Sequence, residues 1–155
     1  MRRIIFLSLF FALSFSQGFL HVESGQIVEG SGEPILLRGF GLGGWLVPEG
    51  YMLHNKGWID GFESPTEIEE KIEELIGEDG AEEFWNNYRD NYVSQADIDQ
   101  IAEWGFNHIR IPFHYKQFFN PSGSEAPIGY EIIDTLLTWC EPYNMYVILD
   151  MHCAP

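Results

Sequence analysis

The chain has 155 residues, and 24 acidic residues against 8 Lys and Arg give it a formal net charge of −16. A surface this acidic repels phosphate backbones, which argues against nucleic acid as a partner and leaves a neutral polysaccharide compatible with the charge. Aromatic residues make up 15% of the chain, and their flat rings suit either a core or stacking against sugars.

Residues 1–17 have the order of a secretory signal peptide. Two arginines precede an apolar run over residues 4–15, and small residues near Ser16 offer a cleavage site. The run is shorter than the roughly 20 residues that a membrane span requires, so we expect export without stable membrane insertion. The product would then be secreted, periplasmic or held at the cell surface, with residues 18–155 as the mature domain.

The mature chain opens with short apolar runs separated by glycine-containing turns. This pattern predicts a small β-hairpin that leads into a strand at residues 35–40. Glycines at positions 39, 41, 43 and 44 leave the tip of that strand bare of side chains. They indicate either an ordinary loop or a close approach to a ligand or a neighbouring strand. Trp45 follows where a phosphate-binding helix would have to start, so nucleotide binding is not indicated.

Three helices are predicted next. The first is capped by Ser64 and ends at Gly77, and its apolar residues form one stripe. The second covers residues 81–92, and the third begins at the Ser94 cap and ends at Gly105. Aromatic residues at helical spacing favour core packing for one face of the second helix. They are Phe84, Trp85, Tyr88 and Tyr92.

The second half of the chain alternates strands with a helix. A strand is predicted over residues 107–112, a helix over 129–144 and a strand over 145–151. Alternation of this kind is typical of parallel βα units. A complete (β/α)₈ barrel takes about 250 residues, so this chain would supply less than half of one. The sequence predicts either a compact three-stranded fold or the first portion of a longer protein.

Two cysteines lie on either side of the last predicted strand. A strand of six or seven residues at ~3.3 Å each holds them roughly 20 Å apart, whereas a disulfide needs Cα atoms within about 7 Å. We therefore predict that Cys140 and Cys153 are free thiols, mostly buried.

Polar side chains stand at the predicted carboxyl ends of the strands, where parallel βα barrels carry functional residues. Glu49 follows the first strand, Arg110 lies near the end of the second, and Asp150 and His152 end the third. Since Arg110 lies in an apolar strand, its guanidinium needs an acceptor, and a structural ion pair with a buried Asp150 stays open as an alternative.

His152 fits three roles: a metal ligand, an acid or base, and a hydrogen-bond partner of a substrate. The chain has no HExxH or CxxC pattern to support a metal site, and no GxSxG motif to support a serine nucleophile. Glycoside hydrolysis requires two carboxylic acids roughly 5 to 9.5 Å apart, and Glu49 by itself cannot be both.

Three segments resemble the strand-end motifs of glycoside hydrolase family 5, the cellulase-like (β/α)₈ enzymes. They are LRGFGLGGWLVPEGY (37–51), GFNHIRIPFHY (105–115) and VILDMHCAP (147–155). The similarity covers residues 35–155 and is greatest to the exo-β-1,3-glucanase and β-glucosidase branch. It implies a TIM barrel of which the first three βα units are present, preceded by the N-terminal β-hairpin.

The resemblance also implies a role for individual residues. Arg110 matches the second-strand arginine that supports the catalytic nucleophile, and His152 matches the third-strand histidine that hydrogen-bonds sugar in the central subsite. Glu49 matches an acidic residue that holds hydroxyls of the terminal glucose. Tyr115 would reach the rim of the cleft, and Trp45 is expected to pack rather than to serve as a sugar platform.

The chain departs from the family pattern in two ways. The family's acid/base glutamate, after an asparagine at the fourth strand, and its nucleophilic glutamate, at the seventh strand, both fall beyond Pro155. The branch often has Asn where this chain has Gly41, and the residues around Glu49 are less aromatic than usual.

The implied activity is hydrolysis of β-glucans by a retaining double displacement, without a metal or an organic cofactor. The 155 residues by themselves are expected to be inactive and poorly soluble. Three alternatives stay open: an endo-acting cellulase or mannanase of the same family, a short carbohydrate-binding protein without catalysis, and an incomplete gene record with no independent function.

Overall fold

A computed structural model describes residues 18–53, 64–120 and 122–153. The predicted signal peptide lies outside these residues. Among the described helices, none is both long enough and apolar enough to cross a bilayer. The chain divides into two compact units, Met1–Leu36 and Leu37–Pro155.

The first unit contains the predicted β-hairpin. Strand β1 (His21–Glu23) pairs antiparallel with β2 (Gln26–Val28). The connecting residues Ser24 and Gly25 have φ angles of 50° and 80°. Positive φ at both central positions is the geometry of a two-residue turn whose twist matches the flanking strands, so the hairpin prediction is confirmed.

The second unit contains the remaining elements. Its strands are β3 (Gly39–Gly41), β4 (His108–His114) and β5 (Tyr146–Cys153). Its helices are α1 (Gly50–Leu53), α2 (Pro65–Ile76), α3 (Glu78–Tyr92), α4 (Gln95–Glu103) and α5 (Pro127–Cys140). Two 3₁₀ turns follow β4 and α5, at Tyr115–Gln117 and Glu141–Tyr143.

The three strands of this unit form a parallel sheet in the order β3-β4-β5. Gly39 pairs with His108, and His108 pairs with Tyr146. The predicted parallel βα arrangement is therefore present. The first strand is shorter than the predicted 35–40, because Ile35 donates its backbone N–H to Ile27 in the hairpin unit instead.

One glycine of the β3 tip is explained by the neighbouring strand. A Cβ atom on Gly39 would lie 2.0 Å from the carbonyl oxygen of His108 and 2.4 Å from its ring nitrogen. The bare strand tip therefore allows a close strand approach at this position, which was one of the two predicted functions of the glycines.

The hydrophobic core lies on one face of the parallel sheet. Ile109 and Ile111 point to that face and are fully buried. Helix α4 contributes Ile98 and Ile101, as its capping pattern predicted, and α5 contributes Leu136 among others. Each such side chain stabilises the fold by about 1.5–3 kcal/mol through burial. The opposite face of the sheet carries the polar residues described below.

Helices α2 and α3 differ from their predictions at the ends. The Ser64 capping box of α2 is present, but only Ile68 of its apolar stripe is buried, while Leu75 and Ile76 are exposed. Helix α3 begins at Glu78, directly after Gly77, rather than at residue 81. Two acidic residues in its first turn complement the helix dipole, which favours the earlier start.

Both cysteines are free, as predicted, with Cys140 buried and Cys153 half-buried. Strand β5 extends to Cys153 and so is longer than the predicted strand. His152 consequently lies within the strand instead of just beyond it, at the irregularity where the register passes from Met151 to Cys153.

Candidate active site

Three polar side chains lie on the sheet face opposite the core. Arg110 pairs in register with Ile148 on β5, and Asp150 and His152 follow Ile148 at intervals of two. Because side chains alternate between the faces of a strand, all three point away from Ile109 and Ile111. Asp150 and His152 lie toward the carboxyl end of β5, as the sequence predicted. Arg110 does not lie near a strand end, because β4 continues to His114 and Arg110 is only its third residue.

The three side chains are in mutual contact. Nη2 of Arg110 donates to Oδ2 of Asp150. The same nitrogen lies 3.3 Å from Nδ1 of His152, and that Nδ1 lies 3.1 Å from Oδ2 of Asp150. We call Arg110, Asp150 and His152 the strand-end cluster.

The contacts of His152 determine which ring nitrogen faces outward. A carboxylate only accepts and a guanidinium only donates, so Nδ1 cannot hydrogen-bond to both at once. With its proton on Nδ1, the imidazole donates to Asp150 over the shorter distance. Nε2 then keeps its lone pair, and within the described residues it makes no hydrogen bond. An outward acceptor of this kind suits the hydroxyl group of a sugar.

The strand-end cluster is partly open to solvent. The side chains of Arg110, Asp150 and His152 are 42%, 30% and 41% exposed. The sequence-based alternative of a structural ion pair with a buried Asp150 is therefore wrong in one respect: the pair exists, but neither partner is buried. The described residues leave this face of the sheet uncovered, and the guanidinium reaches water as well as its carboxylate.

Glu49 is positioned by the segment that follows β3. The chain rejoins β4 at Leu46, where His114 N–H donates to the Leu46 carbonyl at 3.0 Å. Glu49 comes three residues later, and its carbonyl accepts from Met52 at the start of α1. Oε2 of its side chain accepts from the Tyr51 hydroxyl at 3.5 Å.

The segment that carries Glu49 joins β4 next to the end of β5, because Leu46 pairs with Phe113 and the following His114 pairs with Cys153. Burial raises the pKa of the Cys153 thiol above its ordinary value, and the charges of Glu49 and then Asp150 raise the pKa further. Both carboxylates therefore lie near the end of β5.

Tyr115 and Trp45 differ in their surroundings. Tyr115 opens the 3₁₀ turn after β4, half-buried, with its ring 4.7 Å from the His114 ring. This puts it at the carboxyl end of β4, and its contact with sugar stays a prediction. Trp45 is only 4% exposed and donates its indole N–H to the Arg89 carbonyl at 2.8 Å. The prediction that Trp45 packs is confirmed.

Comparisons with known proteins identify the family. Residues 66–155, more than half of the chain, match the Cellulase family, glycosyl hydrolase family 5. The chain belongs to glycosyl hydrolase family 5.

Two curated relatives in this comparison carry glycosidase names. A "Beta-xylosidase" of Phanerodontia chrysosporium is 29% identical over 139 residues, covering 88% of this chain and 28% of the relative. A "Probable glucan 1,3-beta-glucosidase A" of Aspergillus clavatus is 30% identical over 120 residues, covering 77% of this chain and 28% of the relative. The chain thus spans less than a third of the length of these relatives.

A solved structure supports the fold. The rutinosidase from Aspergillus niger superposes with a TM-score of 0.61 at 24% identity, covering 76% of this chain and 33% of that chain. At this level of identity the likeness concerns the fold. Together with family membership it places the chain in the TIM-barrel fold class, as the motif resemblance implied.

Sequence reasoning missed two features of this candidate site. It named Asp150 at a strand end and as a structural partner of Arg110, but it did not connect Asp150 to His152, whereas the structure places Asp150 between Arg110 and His152. The alternation of Asp150 and His152 on one strand face was a signal that could have joined them. It also assigned Tyr88 and Tyr92 to the core, although Tyr92 is exposed and both hydroxyls donate to backbone carbonyls of the loop after β3.

No group of three or more His, Cys, Asp or Glu side chains is arranged to hold a metal ion in residues 18–53, 64–120 and 122–153. The strand-end cluster has one carboxylate and one imidazole, and its guanidinium competes for the carboxylate. These residues fit recognition of hydroxyl groups by hydrogen bonding better than they fit metal coordination.

Proposed function

We propose that this chain is the N-terminal portion of a secreted retaining β-glycosidase that acts on a β-glucan. The observation that supports the proposal most directly is the strand-end cluster: Arg110 of β4 is in contact with Asp150 and His152 near the carboxyl end of the adjacent parallel strand β5, on the sheet face opposite the core. The proposal of export rests on the charge and apolar order of residues 1–17.

In this proposal β3, β4 and β5 are the first three of the eight strands of a TIM barrel. The outward-facing Leu149 and Met151 of β5 are 54% and 55% exposed, and a following helix and strand would cover them. We call the full product of the reading frame that encodes these 155 residues the parent protein.

The proposed reaction is a double displacement. One glutamate of the parent protein attacks the anomeric carbon, and a second glutamate protonates the leaving oxygen and then activates water. The described residues would bind and orient. Arg110 would direct its guanidinium at the nucleophile, His152 would accept from a sugar hydroxyl through Nε2, and Glu49 would hold hydroxyls of the terminal glucose.

Asp150 has a supporting part in this mechanism. Its carboxylate fixes the guanidinium of Arg110 and, at the same time, the Nδ1 tautomer of His152. Both groups therefore meet the substrate without first having to be ordered, which lowers the entropic cost of reaching the transition state.

A neutral β-glucan is the substrate class that we favour. The net charge of −16 disfavours anionic polymers, and one curated relative is named as a glucan 1,3-beta-glucosidase. Tyr115 would contribute to the rim of the same cleft, because it begins the turn directly after β4.

The parent protein tests the proposal. Purified parent protein is incubated with an aryl β-glucoside, β-1,3-linked and β-1,4-linked gluco-oligosaccharides and mannan, and the products are sized. Glucose as the first product from a β-1,3-linked substrate, released as the β-anomer in a proton NMR time course, is expected. Release of the α-anomer contradicts a retaining mechanism, and no turnover of any β-glycoside contradicts the function.

An endo-acting cellulase is the second candidate, since the matched family carries the description Cellulase. The same experiment separates the two. An endo-acting enzyme yields a ladder of oligosaccharides from β-1,4-linked glucan before free glucose accumulates. If the parent protein shows no turnover but gains thermal stability in calorimetry when oligosaccharide is added, a carbohydrate-binding protein replaces both candidates.

A further inference from the structure

The segment after β3 contains two more residues than the stretch of β4 beside it. Gly41 pairs with Arg110, and Leu46 pairs with Phe113. Five residues of chain lead from Gly41 to Leu46, whereas three lead from Arg110 to Phe113. The two extra residues loop outward, and we call Gly43 and Gly44 the glycine bulge.

The glycine bulge leaves two carbonyl groups without partners in the sheet, and helix α3 supplies donors to both. The Tyr88 hydroxyl donates to the Gly44 carbonyl at 2.7 Å, and the Tyr92 hydroxyl donates to the Gly43 carbonyl at 3.1 Å. Tyr88 and Tyr92, which we call the tyrosine pair, lie one turn apart on α3, with ring centroids 4.9 Å apart. The two hydroxyl groups can therefore reach the carbonyl groups of two consecutive residues, Gly43 and Gly44.

The fit between the bulge and the tyrosine pair is close. Gly44 has a φ of +83°, and a Cβ atom on it would lie 2.5 Å from the Tyr92 hydroxyl oxygen. A side chain at this position would therefore be strained and would also displace the donor. Trp45 adds a third connection, because its indole N–H donates to the Arg89 carbonyl between the two tyrosines.

The bulge determines where the chain returns to the sheet. It returns at Leu46, which is fully buried, and Glu49 follows within one short turn. A shift of the bulge by one residue would move Glu49 along the sheet by about 3.3 Å, more than the tolerance of a hydrogen bond to a sugar hydroxyl.

We propose that Tyr88 and Tyr92 are positioning residues for sugar binding: by fixing the glycine bulge, they hold Glu49 where it binds hydroxyls of the terminal sugar unit. The inference rests on the proposed function of Glu49. The tyrosines themselves do not contact the substrate, since they lie on α3 and reach the site only through the backbone of residues 43–49.

The protonation state of Tyr88 supports a constant donor role for this residue. Burial, and then the neighbouring Tyr92, raise the pKa of Tyr88 well above its ordinary value. The Tyr88 phenol therefore stays protonated over the whole range in which glycosidases operate, and its donation to the Gly44 carbonyl does not change with pH.

The test uses the parent protein with the variants Tyr88→Phe, Tyr92→Phe and both together. Loss of both tyrosine donors is expected to weaken the hydrogen bond between Glu49 and a sugar hydroxyl. The KM for an aryl β-glucoside should then rise by about tenfold, the effect of losing that one bond, and kcat should change by less than about twofold. Tyr143→Phe is the matched control. It also removes a phenol hydroxyl, one that donates to Asp99 at 2.9 Å on the surface of α4, and KM is expected to stay unchanged.

A double-mutant cycle distinguishes positioning from general destabilisation. If the tyrosine pair acts through Glu49, the rise in KM disappears when the same substitutions are made in a Glu49→Gln background. An equal rise in both backgrounds, or no rise in the wild-type background, overturns the inference. Since the ring of Tyr92 is exposed, the single Tyr92→Phe variant carries the test if the double variant does not fold.

A second measurement separates failure of this inference from failure of the proposed function. Hydrogen exchange of peptides that cover residues 42–49 is followed in the parent protein and in the double variant. Faster exchange confined to this segment is expected, whether or not the protein turns over glycosides. If exchange in residues 42–49 is unchanged, the tyrosine pair does not hold the bulge and the inference is wrong, even in an active enzyme.

Discussion

Arg110 is held by two neighbours in an arrangement that another cation cannot reproduce. Its Nη2 contacts Asp150 and lies 3.3 Å from His152, and the planar guanidinium presents further donors toward the open face of the sheet. A lysine has a single point of charge on a flexible stem. The site therefore depends on the shape of the guanidinium as well as on its charge.

We predict that Arg110→Lys in the parent protein lowers kcat/KM by about 100-fold, because it removes the planar donor that we propose to support the nucleophile. The free energy of unfolding should change by less than about 1 kcal/mol, since an ion pair with exposed partners contributes little to stability. Steady-state kinetics and urea unfolding measure the two effects. Lys71→Met, which removes the exposed ion pair with Glu74, is the control and should leave kcat/KM unchanged.

Cys153 reports on the carboxylates around it. Burial, Glu49 and Asp150 all raise the pKa of its thiol, so the reactive thiolate is scarce at mild alkaline pH. We predict that Glu49→Gln lowers this pKa and speeds alkylation of Cys153 by iodoacetamide about twofold to fivefold, followed by mass spectrometry of the modified peptide. Glu83→Gln, on the exposed surface of α3, should leave the rate unchanged; equal rates in all three proteins would contradict a nearby Glu49.

Cys140 provides an internal reference for the same experiment. It is buried, and burial raises the pKa of its thiol to about 11. Its alkylation should remain slow in the folded parent protein in every variant. If Cys140 reacts as fast as Cys153, the protein has unfolded locally and the comparison of Cys153 rates must be repeated under milder conditions.

At the scale of elements, α4 supports the sheet directly below the site. Its N-terminus carries a capping box in which Asp97 accepts from the hydroxyl and the backbone N–H of Ser94 at 2.7 and 2.8 Å. These hydrogen bonds lower the pKa of Asp97 below its ordinary value of 3.8, and burial opposes them only weakly. The folded state thus binds this proton less tightly than the unfolded state does.

The sign of this shift gives a pH dependence. The contribution of Asp97 to stability is complete above its unfolded pKa and is lost as the pH falls through the lower folded pKa. We predict that Asp97→Ala destabilises the parent protein by roughly 1 kcal/mol near neutral pH, the size of a lost cap. The difference from wild type should shrink as the pH falls below 3.8, as measured by urea unfolding at a series of pH values.

Asp134→Ala serves as the control for this series. Asp134 is exposed on α5, so removing its carboxylate tests for a general effect of one charge fewer. Its substitution should produce no comparable loss of stability at neutral pH. If the difference in the free energy of unfolding between Asp97→Ala and wild type stayed constant to the lowest pH measured, the carboxylate charge would not support the cap.

Helices α2 and α3 lie between β3 and α4 in the chain, and polar side-chain contacts connect them to the rest of this unit. Lys116, just after β4, donates to Thr66 at 2.8 Å and pairs with Glu69 at 3.4 Å on α2. Helix α3 is attached through the tyrosine pair and Trp45. Its aromatic residues pack largely on one another, with Phe84 exposed, so the sequence prediction of a core stripe was wrong for this helix.

At the scale of the whole molecule, β5 is the outermost strand of the described sheet. Its residues Ile148, Leu149 and Met151 are exposed, and its free edge presents unpaired backbone groups. Apolar strand edges of this kind recruit other strands and cause aggregation. The negative charge of the chain makes two copies repel each other, but salt screens this repulsion. The repulsion also leaves the backbone groups at the edge of β5 accessible.

We predict that the 155-residue chain expressed by itself binds an apolar fluorescent dye strongly, aggregates at micromolar concentration, and does not turn over an aryl β-glucoside. Leu149→Lys with Met151→Lys should lower aggregation several-fold in light scattering, because lysine blocks edge pairing. The control, Leu75→Lys on exposed α2, should have little effect. Turnover by the isolated chain would contradict the prediction that both catalytic glutamates come from residues other than these 155.

Local sequence patterns predicted much of this architecture. Ser64 and Ser94 marked helix starts correctly, because a cap depends on residues three positions apart. The parallel sheet followed from the alternation of apolar strands and helices. The start of α3 and the exposure of Leu75 and Ile76 were not predictable in this way, because they depend on what the rest of the protein places against each helix.

Local spacing and short motifs were sufficient to predict the strand-helix order, the free cysteines, the presence of Arg110 in a strand and the position of His152 near the end of the last strand. The contact of Arg110 with Asp150 and the contacts of the tyrosine pair with the glycine bulge were known only from the folded chain. They join residues 40 to 49 positions apart, and strand register and helix packing, rather than local pattern, bring these residues together.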